Sequence, residues 1–291
     1  MTVDNAVDAG ARSFHVSSGE IAAEVSGSKQ GQLVIGIPGL SANLRSFDVI
    51  FGGLDPAKHR RLAFDPRGRG RSEQTPPGTY GWPSHVRDIL EMADQLGAET
   101  FDLIGWSMGS WIAMKVAQMA PGRVRRIVLV DAVGTVDESV RIPIYAGLDR
   151  LGTVYPSREA FMTLVKSIGL YQPWSAWERL FDYELEDVAE GSRARTAKAG
   201  PLEDDKYRDT HDTHALWPAV TMPALLVRAL NPIPPDYGYV LPVSEYTSFL
   251  AEVRSARGIE VDANHYTVGV HPDVVQAIAE FLGKDIAPER A

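Results

Sequence analysis

Apolar positions along this chain follow two rhythms. A continuous apolar run at 33–37 and predominantly apolar runs at 61–65, 101–106, 127–131 and 224–230 predict strands buried on both faces. Between them, apolar residues recur at three- and four-residue spacing, as on one face of a helix. Val86, Ile89, Leu90, Ala93 and Leu96 predict a helix over 84–96 that Gly97 ends. Further helices are predicted at 44–51, from Trp111 to a stop at Pro121-Gly122, at 243–253 and at 272–282, with a strand at 259–263. Alternation at Phe14, Val16, Ile21, Ala23 and Val25 predicts an edge hairpin behind a loose leader over residues 1–12. Strands alternating with helices imply an α/β fold: a mostly parallel sheet with helices on both faces. Residues 134–217 break the alternation, being rich in charge and aromatics and lacking a convincing buried strand. They read as a helical lid inserted into a core made of residues 1–133 and 218–291.

One junction in this pattern carries chemistry. The run at 101–106 leads straight into Gly105-Trp106-Ser107-Met108-Gly109, and an amphipathic run with Trp111, Ile112, Met114 and Val116 follows at once. A serine between two glycines, where a strand turns sharply into a helix, is the setting of a nucleophile elbow. Side chains at Gly105 or Gly109 would collide with the neighbouring strand and helix. The turn lifts the serine hydroxyl clear of the sheet and aims the first helical N–H groups at whatever it attacks. Glycines at such turns also occur for packing alone, so the reading rests on the strand–helix context.

Composition narrows the partners. The 291 residues carry a net charge of −9, with 44% hydrophobic and 23% charged residues, ordinary for a globular protein. An acidic surface disfavours nucleic acid and anionic membranes. The absence of cysteine excludes disulfides, thiol nucleophiles and thiolate metal sites. The first eleven residues hold two acids and no Lys or Arg, so no signal peptide is expected. No stretch approaches the ~18 apolar residues of a membrane span. A cytoplasmic protein acting on a small molecule, as a monomer or homodimer without metal or cofactor, is the simplest expectation.

A serine hydroxyl needs a base, and the base needs an acid to orient it. Of seven histidines, His265 lies just beyond the last predicted strand, at the sheet edge that also carries Ser107. That edge is where open α/β sheets bind ligands. His271 precedes Pro272 and reads as a helix N-cap, His211 and His214 as lid surface, and His85 as the opening of a helix. Two acids compete: Asp131, the last residue of the strand after the elbow helix, and Asp236, in a loop stiffened by Pro232, Pro234 and Pro235. Asp131 is preferred because the strand fixes its height at the catalytic edge. The oxyanion donors expected are the N–H groups of Met108 and of Leu40, with the Ser41 hydroxyl as an additional donor.

The chain resembles the α/β hydrolases, in their esterase, lactonase and C–C hydrolase grouping, from about Phe14 to Leu282. Pro38-Gly39, Asp65-Pro66-Arg67-Gly68-Arg69-Gly70-Arg71-Ser72, Gly105-Trp106-Ser107-Met108-Gly109 and His265 with Pro272-Asp273 carry the likeness. Pro38-Gly39 stands where the family usually has His-Gly, and Ala229-Leu230-Asn231-Pro232 where it usually places its acid. A subset of the family takes the acid from the position of Asp131. The Arg67 and Arg71 turn reads as structural.

The resemblance implies a serine hydrolase cleaving an ester, lactone or related acyl bond of a small, largely apolar molecule through an acyl-enzyme. C–C bond hydrolysis, amide hydrolysis and cofactor-free peroxidase chemistry use similar constellations, and a hydrolase-fold binding protein is the non-enzymatic alternative. Trp106, Ser41, Tyr145, Trp174 and Trp177 are the expected pocket residues. Arg141, Arg150, Arg158, Arg179, Arg193 and Arg195 are lid cations able to anchor a carboxylate.

Overall fold

The computed structural model describes residues 7–234 and 236–284. The hairpin β1 (Val7–Val16) and β2 (Gly19–Ser28) pairs antiparallel, with Phe14 opposite Ile21. Residues 7–12 of the expected leader are thus strand, and the first six lie outside the described residues. Residues 10–13 of β1 are exposed, so no buried alternation announces the strand.

There follow β3 (Gln32–Ile37), α1 (Asp48–Gly52) after a 3-10 turn at Leu44–Phe47, β4 (His59–Phe64), α2 (Trp82–Gln95), β5 (Phe101–Trp106), α3 (Met108–Met119) and β6 (Val124–Val130). The intervening segment holds α4 (Arg141–Asp149), β7 (Val154–Tyr155), α5 (Arg158–Ser167), α6 (Glu178–Glu184), β8 (Leu185–Val188), β9 (Gly191–Ala194) and α7 (Ala199–Asp209). Its helices match the expectation; its small antiparallel sheet, ordered β7-β9-β8, was not predicted. Those strands are two to four residues long and carry charges such as Glu186, Asp187 and Arg193, so no apolar run marks them. The chain ends with β10 (Ala224–Ala229), α8 (Val243–Glu252), β11 (Ala256–Val261) and α9 (Pro272–Gly283). Among the described residues no helix is long and apolar enough to cross a membrane.

The eight-stranded sheet has the order β1-β2-β4-β3-β5-β6-β10-β11, and every pairing from β4 to β11 is parallel. Central strands feed two cores. Leu33, Ile35, Leu103, Ile127 and Leu129 join one face with α2 and α3, while Val34, Ile104, Val128 and Val130 join the other with α1 and α9. Alternate side chains leave opposite faces of a strand, so burial of both faces requires the apolar runs seen in the sequence. At ~1.5–3 kcal/mol for each large apolar side chain buried, these runs stabilise the sheet.

Chain order reverses between β3 and β5. From β3 the chain moves outward to β4, and from β5 it moves the other way to β6 and β10. The carboxyl ends of β3 and β5 therefore flank the crevice where such sheets place ligands. Gly39-Leu40-Ser41 leaves one strand there, and Ser107 leaves the other.

Candidate active site

Ser107 sits between β5 and α3 with φ +57° and ψ −123°. A positive φ on a non-glycine residue costs about 1–3 kcal/mol and persists only where neighbours enforce it. Here the Ser107 N–H donates to the Val130 carbonyl at 2.9 Å. Ser110 Oγ donates to the Gly105 carbonyl at 2.8 Å and accepts from the Val130 N–H at 3.1 Å. A Cβ on Gly109 would stand 1.9 Å from the Ile37 carbonyl oxygen, and one on Gly105 would stand 2.2 Å from that of Gly109. The glycines let α3 start against β3, as the sequence required.

His265 Nε2 lies 2.9 Å from Ser107 Oγ, and its Nδ1 lies 2.8 Å from Asp131 Oδ2. Asp131 follows β6 directly, has φ +56°, and donates its N–H to the Val227 carbonyl at 2.8 Å. Its other oxygen, Oδ1, accepts the Ala229 N–H at 2.8 Å. Burial pushes the Asp131 carboxyl up from its usual range, and the His265 and Ala229 hydrogen bonds pull it back. The loop holding His265 is closed by Asn264, whose Oδ1 accepts the N–H groups of Tyr266 and Thr267 at 2.8 and 3.0 Å. Trp106 Nε1 donates to the His265 carbonyl at 3.2 Å.

The rival residues stand elsewhere. Asp236 is an exposed turn residue, and Pro235 beside it lies outside the described residues. His271 caps α9, accepting the Asp273 N–H at 3.3 Å. His211 stacks on Tyr207, and His214 Nε2 lies 2.8 Å from Glu245. His85, in contrast, is buried and pairs with Asp204 at 2.9 Å. Arg67 is buried against Asp88 at 2.7 Å, whereas Arg71 packs its guanidinium on the Tyr183 ring.

A cavity of about 150 Å³ opens on Ser107 and His265. Of the five expected pocket residues, Ser41, Trp106 and Trp177 line it, together with Leu40 and Met108. Tyr145 and Trp174 do not. Helix α4 turns Ile144, Gly147 and Leu148 to the cavity. Tyr145, a further ~100° around the helix, instead donates its hydroxyl to Asp205 at 2.7 Å. Trp174 stacks on Phe181, with ring centres 5.8 Å apart and planes within 8°.

The remaining walls were not foreseen. They include Trp82 from α2, Trp111 from α3, Tyr171, Tyr266, Asp204, Asp205 and Arg208. Trp82 and Trp111 stack 5.7 Å apart. Trp111 lies one helical turn past Ser107, and Tyr266 adjoins His265. Those positions were the available signals. Burial pushes the phenols of Tyr171 and Tyr266 up. Of the lid arginines, Arg150 reaches the cavity, where it pairs with buried Glu184 at 2.8 Å. Arg208 pairs with Asp205 at 2.8 Å, and Asp204 lies between Arg69 and His85. Each charged side chain on the wall thus faces an opposite charge. Among the described residues, no cluster of three or more His, Asp or Glu could hold a metal.

The α/β hydrolase fold family matches residues 32–168. An N-formylmaleamate deformylase of Pseudomonas putida is 32% identical over 205 residues, covering 69% of this chain and 71% of that protein. The chain belongs to the α/β-hydrolase fold superfamily. A serine hydrolase-like protein of Dictyostelium discoideum is 26% identical over 223 residues, covering 72% of this α/β-hydrolase chain and 59% of the relative. The solved structure of an E-2-(acetamidomethylene)succinate hydrolase superposes with a TM-score of 0.84 at 19% identity, over 95% of this chain and 100% of that one. At that identity the likeness concerns the fold. In its first sequence matches, the chain spans about half the relatives' length, 41% and 59%.

Proposed function

We propose that this α/β-hydrolase chain is a serine hydrolase that cleaves an ester, lactone or related acyl bond of a small, largely apolar molecule. The observation that carries the proposal is the unbroken line from Ser107 Oγ to His265 Nε2 at 2.9 Å and from His265 Nδ1 to Asp131 at 2.8 Å. In this reading His265 takes the Ser107 proton as Oγ attacks the carbonyl. Asp131 holds the imidazole in place and stabilises the imidazolium. The Leu40 and Met108 N–H groups receive the oxyanion; α3 begins at Met108, whose N–H has no partner within the helix. His265 then protonates the leaving group, and water releases the acyl group by the same route.

The cavity supports the substrate class. A volume of about 150 Å³ suits an acyl unit near the size of benzene. Aromatic and aliphatic walls, with every wall charge already paired, favour an uncharged group there. Residues 134–217 act as the lid that closes over it.

Amide hydrolysis on the same residues is the second reading, favoured by the 32% identity to a deformylase. Rates on a matched set of aryl esters, lactones, formamides and vinylogous 1,5-diketones distinguish the readings. Hydrolysis of esters or lactones at least tenfold above the others, abolished in Ser107→Ala, is expected. Equal turnover by Ser107→Ala contradicts the proposal.

A further inference from the structure

The loop expected to supply one oxyanion donor, Gly39-Leu40-Ser41, carries Pro38 where the family usually has histidine, so something else must brace it. Arg69 occupies that role in space. Its Nε and Nη2 both donate to the Leu40 carbonyl, at 3.1 and 3.0 Å. Nη1 donates to the Arg67 carbonyl at 3.0 Å, and Nη2 also meets Asp204 Oδ2 at 2.5 Å. His85 Nε2 lies 2.9 Å from the same oxygen, while the Gly81 N–H donates to Asp204 Oδ1 at 2.7 Å. Arg69 and Asp204 are completely buried, and His85 is 1% exposed.

We infer that Arg69, held by Asp204 and His85, is the positioning residue for the oxyanion loop. Four segments meet there: the loop after β3 through Leu40, the loop after β4 that carries Arg69, helix α2 through His85, and helix α7 through Asp204. A buried ion pair adds little net stability over apolar packing, so its presence calls for another role. The forked guanidinium fixes the Leu40–Ser41 peptide plane, which shares the Leu40 Cα with the peptide carrying the Leu40 N–H, and keeps the Leu40 carbonyl directed at itself. The turn is also closed behind it, since the Ala42 N–H donates to the Gly39 carbonyl at 3.2 Å. The loop also runs beside the nucleophile: a Cβ on Gly39 would stand 3.4 Å from that of Ser107, in ordinary contact.

Asp204 makes the arrangement affordable. Burial opposes its ionisation, but the neighbouring His85 and Arg69 hold its carboxyl far below the usual range. Its anion neutralises Arg69, which then serves as a hydrogen-bond fork. Because Asp204 lies on α7 and also lines the cavity, the lid segment and the oxyanion loop are fastened together.

This inference rests on the serine-hydrolase reading, and its test separates the two. Wild-type turnover and its loss in Ser107→Ala are established first; turnover that survives Ser107→Ala overturns the reading and the inference together. With that shown, Arg69→Met, Arg69→Lys and Asp204→Asn are compared by steady-state kinetics, by binding of an arylboronic acid and by binding of the product acid. Loss of one oxyanion donor costs about 10²–10³ in turnover. Arg69→Met is expected to lose that much in kcat with KM within about threefold. Boronate affinity should fall in parallel, and product affinity should be retained. Arg69→Lys keeps the charge beside Asp204 without the fork, so it should lose about tenfold or more in kcat and boronate affinity together, and it serves if Arg69→Met fails to fold. The acid limb of the kcat/KM profile should not move, because the Ser107–His265–Asp131 line is untouched. Folded Arg69 variants with wild-type kcat and boronate affinity overturn the inference, as does equal loss of boronate and product binding.

Discussion

Asp131 and His265 meet at 2.8 Å although they come from strands that are not neighbours. Strand β10 runs between β6 and β11, and the Ala229 N–H at its end holds the second Asp131 oxygen. The carboxylate is thus aimed by main-chain atoms of a third strand. Replacing an acid so placed by its amide costs about 10⁴-fold in turnover. Asp131→Asn should show that loss with the fold intact by circular dichroism, and Asp236→Asn should stay within about tenfold of wild type. Reversal of the two results would remove Asp131 from the proposed mechanism.

The two histidines near the chain's end should separate as cleanly. His265→Ala is expected to lower kcat by about 10³-fold or more. His271→Ala removes a cap from α9 and should cost about 1 kcal/mol of stability with little change in turnover. Steady-state rates and thermal melts of both variants check this; equal loss of turnover would contradict the assigned roles.

Asp102, buried inside β5, lies outside the proposed mechanism and reports on pH. Burial raises its carboxyl from 3.8 to about 6, against the pull of Arg125 and Arg126. With the folded value above the unfolded one, the fold favours protonated Asp102. That preference stabilises nothing below pH 3.8, where both states are protonated. It becomes a growing cost as pH rises to about 6, reaching roughly 3 kcal/mol. Urea unfolding of wild type and Asp102→Asn should therefore diverge in the variant's favour by about that amount between pH 4 and pH 7. A constant difference across the range would show that Asp102 does not titrate this way.

The elbow glycines admit no side chain. With a Cβ 1.9 Å from the Ile37 carbonyl oxygen, Gly109→Ala must push α3 away from β3. A loss of about 3 kcal/mol or more, measured as a fall in denaturation midpoint, is expected. Wild-type stability for Gly109→Ala would refute the close approach.

The sheet was legible because burial on both faces leaves apolar runs, and the elbow because steric limits demand glycine at 105 and 109. Asp131 could be placed because it directly follows a strand whose neighbours follow from chain order. The cavity walls were much less so. No apolar rhythm marks Asp204, Asp205 and Arg208, and the burial of Asp204 depends on Arg69 and Gly81, more than a hundred residues away in sequence. Tyr145 and Trp174 failed for a related reason: composition places aromatics in a lid, but only helix phase and packing decide which of them face inward. The three lid strands were hidden by their shortness and charge.

The central claim is that Ser107 is an activated nucleophile. Incubation of the protein with a fluorophosphonate, followed by intact-mass and peptide mass spectrometry, tests it most directly. One adduct per chain is expected, located on Ser107, absent in Ser107→Ala and formed much more slowly in His265→Ala. A folded wild-type protein that stays unlabelled, or one labelled at another residue, would contradict it.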